Sequence, residues 1–102
     1  MIELENLKRY VLEEKIFVTN HAAERFRERG INMEDIHSAI NSGEIIEQYP
    51  GAYPNPCCLI IGDNLRGEKI HVVLSDENIA SRIITAYYPD ADKWSADFKV
   101  RR

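Results

Sequence analysis

The length, composition and charge of the chain limit both its fold and its ligands. Its 102 residues are enough for one domain with one core, which we expect to cover residues 1–102. With 44% hydrophobic and 29% charged residues, the chain has the composition of a globular protein and not of a disordered segment. A net charge of −4 argues against general affinity for nucleic acid, although it leaves room for a local basic cleft.

The sequence also indicates a cellular setting. No apolar run approaches the roughly 18 residues of a membrane span, and the amino terminus lacks the pattern of a secretory signal. Cys57 and Cys58 are adjacent, a spacing that does not suit an unstrained disulfide, and we expect them to be small apolar strand residues. These features predict a reduced, cytoplasmic protein that does not enter a membrane.

The first part of the chain has helical periodicity. A helix is predicted over residues 2–14, followed by an extended link at residues 17–19. Thr19 or Asn20 is the predicted cap of a second helix that Gly30 ends. Asn32 is the predicted cap of a third helix, which covers about Met33 to Ser42 and stops at Gly43.

The pattern changes to strands after the third helix. Four strands are predicted, over residues 44–49, 57–61, 68–75 and 80–88. The polar segment from residue 90 to residue 102, with Trp94 as an apolar anchor, is predicted to be a short helix or an extended tail. Helices followed by consecutive strands predict an α+β protein, with the N-terminal helices packed on one face of a four-stranded antiparallel sheet.

A cationic stripe is predicted on the second helix. His21, Arg25 and Arg29 lie four residues apart, which places them on one helical face. His21 is near the helix amino terminus, where backbone N–H groups attract anions, and the planar donor fork of arginine suits phosphate. The alternative readings are that His21 caps the helix or lies in solvent, and that the two arginines are solvated or pair with Glu24 and Glu28.

A polar patch is predicted on the last two strands. Side chains alternate across a sheet, and a tight turn near residue 77 would place His71 on the same face as Thr85 and Tyr87, which Ile83 would share. Such a patch either satisfies its own hydrogen bonds or faces a cleft. His71 is alternatively a hydrogen-bonded core histidine, and Thr85 and Tyr87 are also ordinary strand formers.

Several of these segments together resemble a small bacterial family known only as a domain of unknown function. The run from His21 to Ile31, His-Ala-x-x-Arg-x-x-Glu-Arg-Gly-Ile, is similar to the opening motif of that family. Its later signatures resemble Ile70–Val73, Ile84–Pro89, Trp94 and Asp97–Arg102. The resemblance covers roughly residues 15–102.

The resemblance carries implications for fold, activity and partners. The family has been grouped with the RelE-like, barnase-like and EndoU-like ribonuclease toxins, and its members often accompany a zinc-finger antitoxin of the MqsA type. This implies a RelE- or barnase-like α+β domain whose sheet carries an RNA-cleavage site, with RNA and an antitoxin as partners. The positions that match are His21, Arg25, His71, Thr85 and Tyr87.

The leading hypothesis is a metal-independent endoribonuclease of a toxin–antitoxin pair. Histidine suits both proton transfers of RNA transesterification, while arginine stabilises the charge on phosphorus. The predicted catalytic residues are His21, Arg25, His71 and Tyr87. The predicted substrate-binding residues are Arg29, Thr85, Arg101 and Arg102. No metal or cofactor is expected, because no metal-ligand spacing is present.

Two rival hypotheses use the same residues. In the first, the polar face belongs to a non-catalytic module that binds a protein or a small anion. In the second, the protein is a metal-dependent hydrolase with zinc at His21 or His71. The RNA target and the oligomeric state do not follow from the sequence.

Overall fold

Three helices and five strands form an α+β fold. The computed structural model describes all of residues 1–102. In chain order the elements are α1 (Leu4–Leu12), β1 (Ile16–Phe17), α2 (Asn20–Glu28), α3 (Met33–Ser42), β2 (Glu44–Tyr49), β3 (Cys57–Asp63), β4 (Lys69–Ser75) and β5 (Ser81–Tyr87). None of the helices has the length and apolarity needed to cross a membrane.

The sheet is mixed and has the strand order β1-β5-β4-β3-β2. Strands β2 to β5 pair antiparallel, as predicted, while β1 pairs parallel to β5 through Ile16 and Phe17. The expected sheet of four antiparallel strands is therefore wrong at this edge. A two-residue strand is too short to show the alternating pattern that identifies a strand, and its partner lies far away in the chain.

Local capping interactions determine where the helices begin and end. The Thr19 hydroxyl accepts a hydrogen bond from the backbone of Ala22 at 3.1 Å, which makes Thr19 the cap of α2. Asn32 and Asp35 form a reciprocal capping box, and α3 has the predicted bounds. Gly30 follows α2 with a φ of 78°, a conformation that glycine adopts without strain.

The helices pack on one face of the sheet. The core between them contains side chains from all three helices and from strands β3 to β5, among them Leu7, Phe26, Ile36, Ile60, Ile70, Val72, Leu74 and Ile83. The opposite face of the sheet carries the alternate residues, including His71. On that face the tail, residues 90–102, contributes the buried Trp94.

A β-bulge in β5 changes the face of one predicted residue. Thr85 pairs with Val73, but Ile83 pairs with Leu74, which leaves Ile84 as the extra residue. Ile83 is consequently buried in the helix-side core, while Ile84 is 49% exposed. The prediction that Ile83 shares the face of Thr85 is wrong, because simple alternation does not continue through a bulge.

The close approach of α3 to β3 gives a stability prediction. A Cβ atom at Gly62 would lie 2.0 Å from the carbonyl oxygen of Ala39. We expect Gly62→Ala to lower the free energy of unfolding by about 1–3 kcal/mol, because backbone would have to move. Gly51→Ala is the control, since nothing lies within 4 Å of a Cβ there. Urea denaturation followed by circular dichroism measures both, and equal stabilities of the two variants would contradict the prediction.

Candidate functional site

A groove of about 370 Å³ lies between α2 and β5, and we call it the α2–β5 groove. Its lining residues are Thr19, His21, Ala22, Arg25, Arg29, Arg82, Ile83, Ile84 and Thr85. Three of them are arginines, one is a histidine and none is acidic. The groove is therefore a place where several cationic side chains converge without a neighbouring carboxylate in the lining.

The cationic stripe of α2 forms one wall of this groove. His21 lies in the first turn after the Thr19 cap, and Arg25 and Arg29 follow at intervals of one helical turn. All three side chains are exposed, as a solvent-facing stripe requires. The sequence prediction that these three residues share a face is confirmed by their common place in the groove.

The basic side chains of the groove differ in the hydrogen bonds and ion pairs that they make within the protein. Arg29 donates to the carbonyl oxygen of Ala86 at 2.9 Å and to the Thr85 hydroxyl at 3.4 Å, which joins the end of α2 to β5. The Nε of Arg82 lies 3.3 Å from a carboxylate oxygen of Glu77.

The side chains of His21 and Arg25 have no hydrogen-bond or ion-pair partner in the structure. The alternative in which Arg25 and Arg29 pair with Glu24 and Glu28 is not observed, because no ion pair involves a residue of α2. These groups are free to contact an anion, and the arginine fork can bind two oxygens of one phosphate.

His71 lies elsewhere, in what we call the tail-covered cluster: Glu47, Tyr49, His71 and Tyr87 on the sheet, with Trp94, Phe98 and Arg101 of the tail over them. His71 is 0% exposed. Its Nε2 is 2.8 Å from the carbonyl oxygen of Phe98, and its Nδ1 is 3.3 Å from the hydroxyl of Tyr87. Because a carbonyl only accepts, Nε2 carries the proton and Nδ1 accepts from the tyrosine.

The tail is held over this cluster by aromatic and ionic contacts. The Trp94 ring meets the His71 ring edge-on, with the centroids 4.5 Å apart. Arg101 stacks over Trp94 at 4.6 Å and donates to both carboxylate oxygens of Glu47, at 2.9 and 3.1 Å. Arg102 donates to the backbone carbonyls of Ala91 and Trp94. Both terminal arginines thus organise the tail, and neither lines the α2–β5 groove.

The electrostatics of the cluster match this enclosed position. Burial lowers the pKa of His71, although the hydrogen bond to the Phe98 carbonyl and the charge of Glu47 act in the opposite direction. Burial likewise raises the pKa of Tyr87. The hydrogen bonds from Arg101 lower the pKa of Glu47. At neutral pH the cluster therefore holds a neutral imidazole beside an ionised carboxylate that is paired with arginine.

The structure separates the two histidines that the leading hypothesis joins. His21 is exposed in the α2–β5 groove, whereas His71 is enclosed in the tail-covered cluster. The predicted pairing of His71 with Tyr87 on one face is confirmed by their register and hydrogen bond. Thr85 lies two residues before Tyr87 on β5 and lines the groove. The two sites are therefore neighbours along one strand but have different access to solvent.

Two residues of these sites were not predicted from the sequence. Arg82 lines the groove from β5, and Glu47 pairs with the tail. A signal for each exists in the sequence: Arg82 is a charge beside two isoleucines, and Glu47 alternates with Tyr49 along β2. Neither signal identifies what the residue faces, because α2 and the tail come from parts of the chain that are distant from Arg82 and Glu47.

The remaining candidate chemistry is that of the cysteines and of metals. Both thiols are free and buried, and burial raises the pKa of Cys58 to about 12, so this thiol stays protonated. No group of three or more His, Cys, Asp or Glu side chains is placed to hold a metal ion.

Fold and site together define an α+β protein with a cationic groove between a helix and a sheet edge. The family model described as a domain of unknown function, DUF4258, matches residues 18–88, and the chain belongs to this family. The match begins just before α2 and ends just after β5, so it includes the whole lining of the groove. No curated protein and no solved structure matches the chain.

The enclosure of His71 predicts a pH dependence of stability. Because its pKa is lowered in the folded state, the unfolded chain binds the proton more readily. The contribution of His71 to the free energy of unfolding is complete above the pKa of histidine in the unfolded chain, about 6.5. As the pH drops below that value, the free energy of unfolding falls by at most about 1.4 kcal/mol per pH unit. The single Trp94, packed on His71, reports unfolding by its fluorescence in urea titrations.

His71→Gln supplies the comparison, because glutamine has no proton to gain in this range. We expect a smaller loss of stability between pH 7 and pH 5 in the variant than in the wild type. The quantity to compare is the slope of the free energy of unfolding against pH, because the variant also loses packing at every pH. Equal slopes would show that His71 is not the group responsible.

Proposed function

We propose that this protein binds phosphate groups of RNA in the α2–β5 groove. One observation carries the proposal: His21, Arg25 and Arg29 line the groove in the company of Arg82, and no carboxylate lines it. A phosphodiester is the anion whose spread negative charge and several oxygens suit arginine donors.

The distribution of charge explains how a protein of net charge −4 would bind RNA. No ion pair involves His21, Arg25 or Arg29, whereas Arg82 on the β5 wall of the groove and five basic residues elsewhere pair with acidic ones. A local positive groove on an acidic protein attracts a polyanion to one place and repels it from others. The expected binding is consequently weak, localised and sensitive to salt.

The choice of RNA over other phosphates rests on resemblance. The motifs that begin at His21 resemble a family grouped with RelE-like, barnase-like and EndoU-like ribonuclease toxins. The proposal accordingly includes a RelE- or barnase-like role in the cytoplasm, with a zinc-finger antitoxin of the MqsA type as the partner protein.

Cleavage of the bound RNA is the second candidate function, and the exposed His21 beside Arg25 favours it. His21 would take the proton of a 2′-hydroxyl, whose oxygen attacks phosphorus while the bond to the 5′ oxygen breaks and that oxygen takes a proton from solvent. Arg25 would stabilise the charge on the phosphate. His71 has no access to RNA beneath the tail, so a shared role in proton transfer would require the tail to move.

Binding is tested with Arg25→Ala against Arg27→Ala. Arg27 belongs to the same helix, but its side chain donates to the backbone of Ala23 and does not line the groove. Fluorescence anisotropy with a labelled single-stranded RNA should show weaker binding only for Arg25→Ala. The slope of log affinity against log salt should decrease by about 0.7 for one lost phosphate contact. Equal losses in both variants would contradict a role for the groove.

Cleavage is tested by incubating the protein with labelled RNA in the presence of EDTA. We expect His21→Ala to reduce the cleavage rate by about 10²- to 10⁴-fold, the usual contribution of a general base. His37→Ala is the control, because His37 lies on α3 outside the groove. RNA that the wild type binds but leaves intact would instead identify a non-catalytic module.

A further inference from the structure

We propose that a second cavity beside the α2–β5 groove binds a nucleobase, which makes the ligand single-stranded RNA; this inference rests on the proposed function. The cavity has a volume of about 210 Å³, and we call it the Tyr53 cavity. Its lining residues are Tyr53, Pro54, Asn55, Cys57, Ser75, Glu77, Arg82 and Ile84.

The Tyr53 cavity and the groove are adjacent and share part of one wall. Arg82 and Ile84 line both of them, so the two cavities meet at these side chains of β5. In a nucleotide, the phosphate and the base are joined through one ribose. A phosphate held by the α2 stripe therefore brings its own base, or that of the next nucleotide, to the wall that the two cavities share.

The exposed side chains of the cavity are suited to stacking. Tyr53 is 95% exposed, more than any other large hydrophobic side chain of the protein, and Ile84 is 49% exposed. Aromatic rings presented to solvent are the usual platforms for unpaired bases, since every base has a π-face. A base between Tyr53 and Ile84 would cover apolar surface that the folded chain leaves in water.

Unlike the groove, the Tyr53 cavity has a carboxylate in its lining, beside the Arg82 that both cavities share. Glu77 lines it, and one oxygen, Oε2, accepts from the Ser75 hydroxyl at 3.0 Å and from Nε of Arg82 at 3.3 Å. The other oxygen, Oε1, has no partner in the chain. A carboxylate repels phosphate but accepts a hydrogen bond from the amino group of a base, as it does from cytosine N4. The cavity thus favours cytosine, which has such a group, over uracil, which lacks it.

Base recognition in this cavity requires an unpaired strand. In an A-form duplex the bases are stacked inside the helix and the deep major groove excludes side chains. Tyr53 and Glu77 lie on the protein surface and can contact a base only if it is splayed out. Single-stranded RNA satisfies this condition without the cost of opening a duplex.

The experiment compares two labelled oligonucleotides, hexacytidylate and hexauridylate, by fluorescence anisotropy, with tripolyphosphate as a competitor that has no base. The variants are Tyr53→Ala, Tyr53→Phe, Glu77→Gln and Arg25→Ala. Leu65→Ala is the matched control, because Leu65 is 66% exposed and lines neither cavity. Since Tyr53 is almost fully exposed, its replacement should not affect folding.

We expect Tyr53→Ala to weaken hexacytidylate binding by about tenfold or more, in the range that loss of one stacked base produces. Tyr53→Phe should bind like the wild type, and the inhibition constant of tripolyphosphate should be the same for the wild type and both Tyr53 variants. Glu77→Gln should reduce the preference for hexacytidylate over hexauridylate. Unchanged RNA affinity in Tyr53→Ala, with Arg25→Ala still impaired, would overturn the base site and leave the groove intact. Failure of the wild type to bind either oligonucleotide would overturn both proposals.

Discussion

The pairing of β4 with β5 is the constraint on which both polar sites depend. Its register places His71 opposite Tyr87, where the two side chains bond beneath the tail. The bulge that follows directs Ile83 into the core and leaves Ile84 exposed at the junction of the two cavities. Without this extra residue, strict alternation would place Ile83 on the tail side of the sheet, and the groove would lose part of its wall.

The α2–β5 groove depends on a second constraint, the attachment of α2 to an open sheet edge. Strand β1 pairs with only the beginning of β5, so the carbonyl of Ala86 remains available to Arg29. Arg29 thereby satisfies one backbone acceptor of β5 and lines the groove. Its neighbours on the stripe, His21 and Arg25, are left without partners. Because these two side chains make no hydrogen bond or ion pair that stabilises the fold, they are available to bind a ligand.

The tail covers part of the sheet face that lies away from the helices, and it buries His71 there. Trp94 and the carbonyl of Phe98 enclose His71, and the pairing of Arg101 with Glu47 fastens the tail to the outer strand. Both ring nitrogens of His71 have hydrogen-bond partners within the protein, which is what a buried imidazole requires. The candidate residues of the sequence analysis therefore fall into two groups. His71 and Tyr87 pack beneath the tail and stabilise the fold, whereas His21 and Arg25 are exposed to solvent in the groove.

Local pattern was sufficient for the presence and order of the three helices and for the cationic stripe, although α1 (Leu4–Leu12) is shorter than the predicted helix over residues 2–14. The cap at Asn32, the bounds of α3 and the common face of His21 and Arg25 all follow from interactions within a few residues along the chain. The parallel pairing of β1 and the bulge at Ile84 had no such local signal, and Trp94 as an anchor did not show which face of the sheet the tail covers. Only the tertiary structure decided these features, because each depends on contacts between segments that are distant in sequence, and the contacts of the tail enclose His71 while His21 stays exposed.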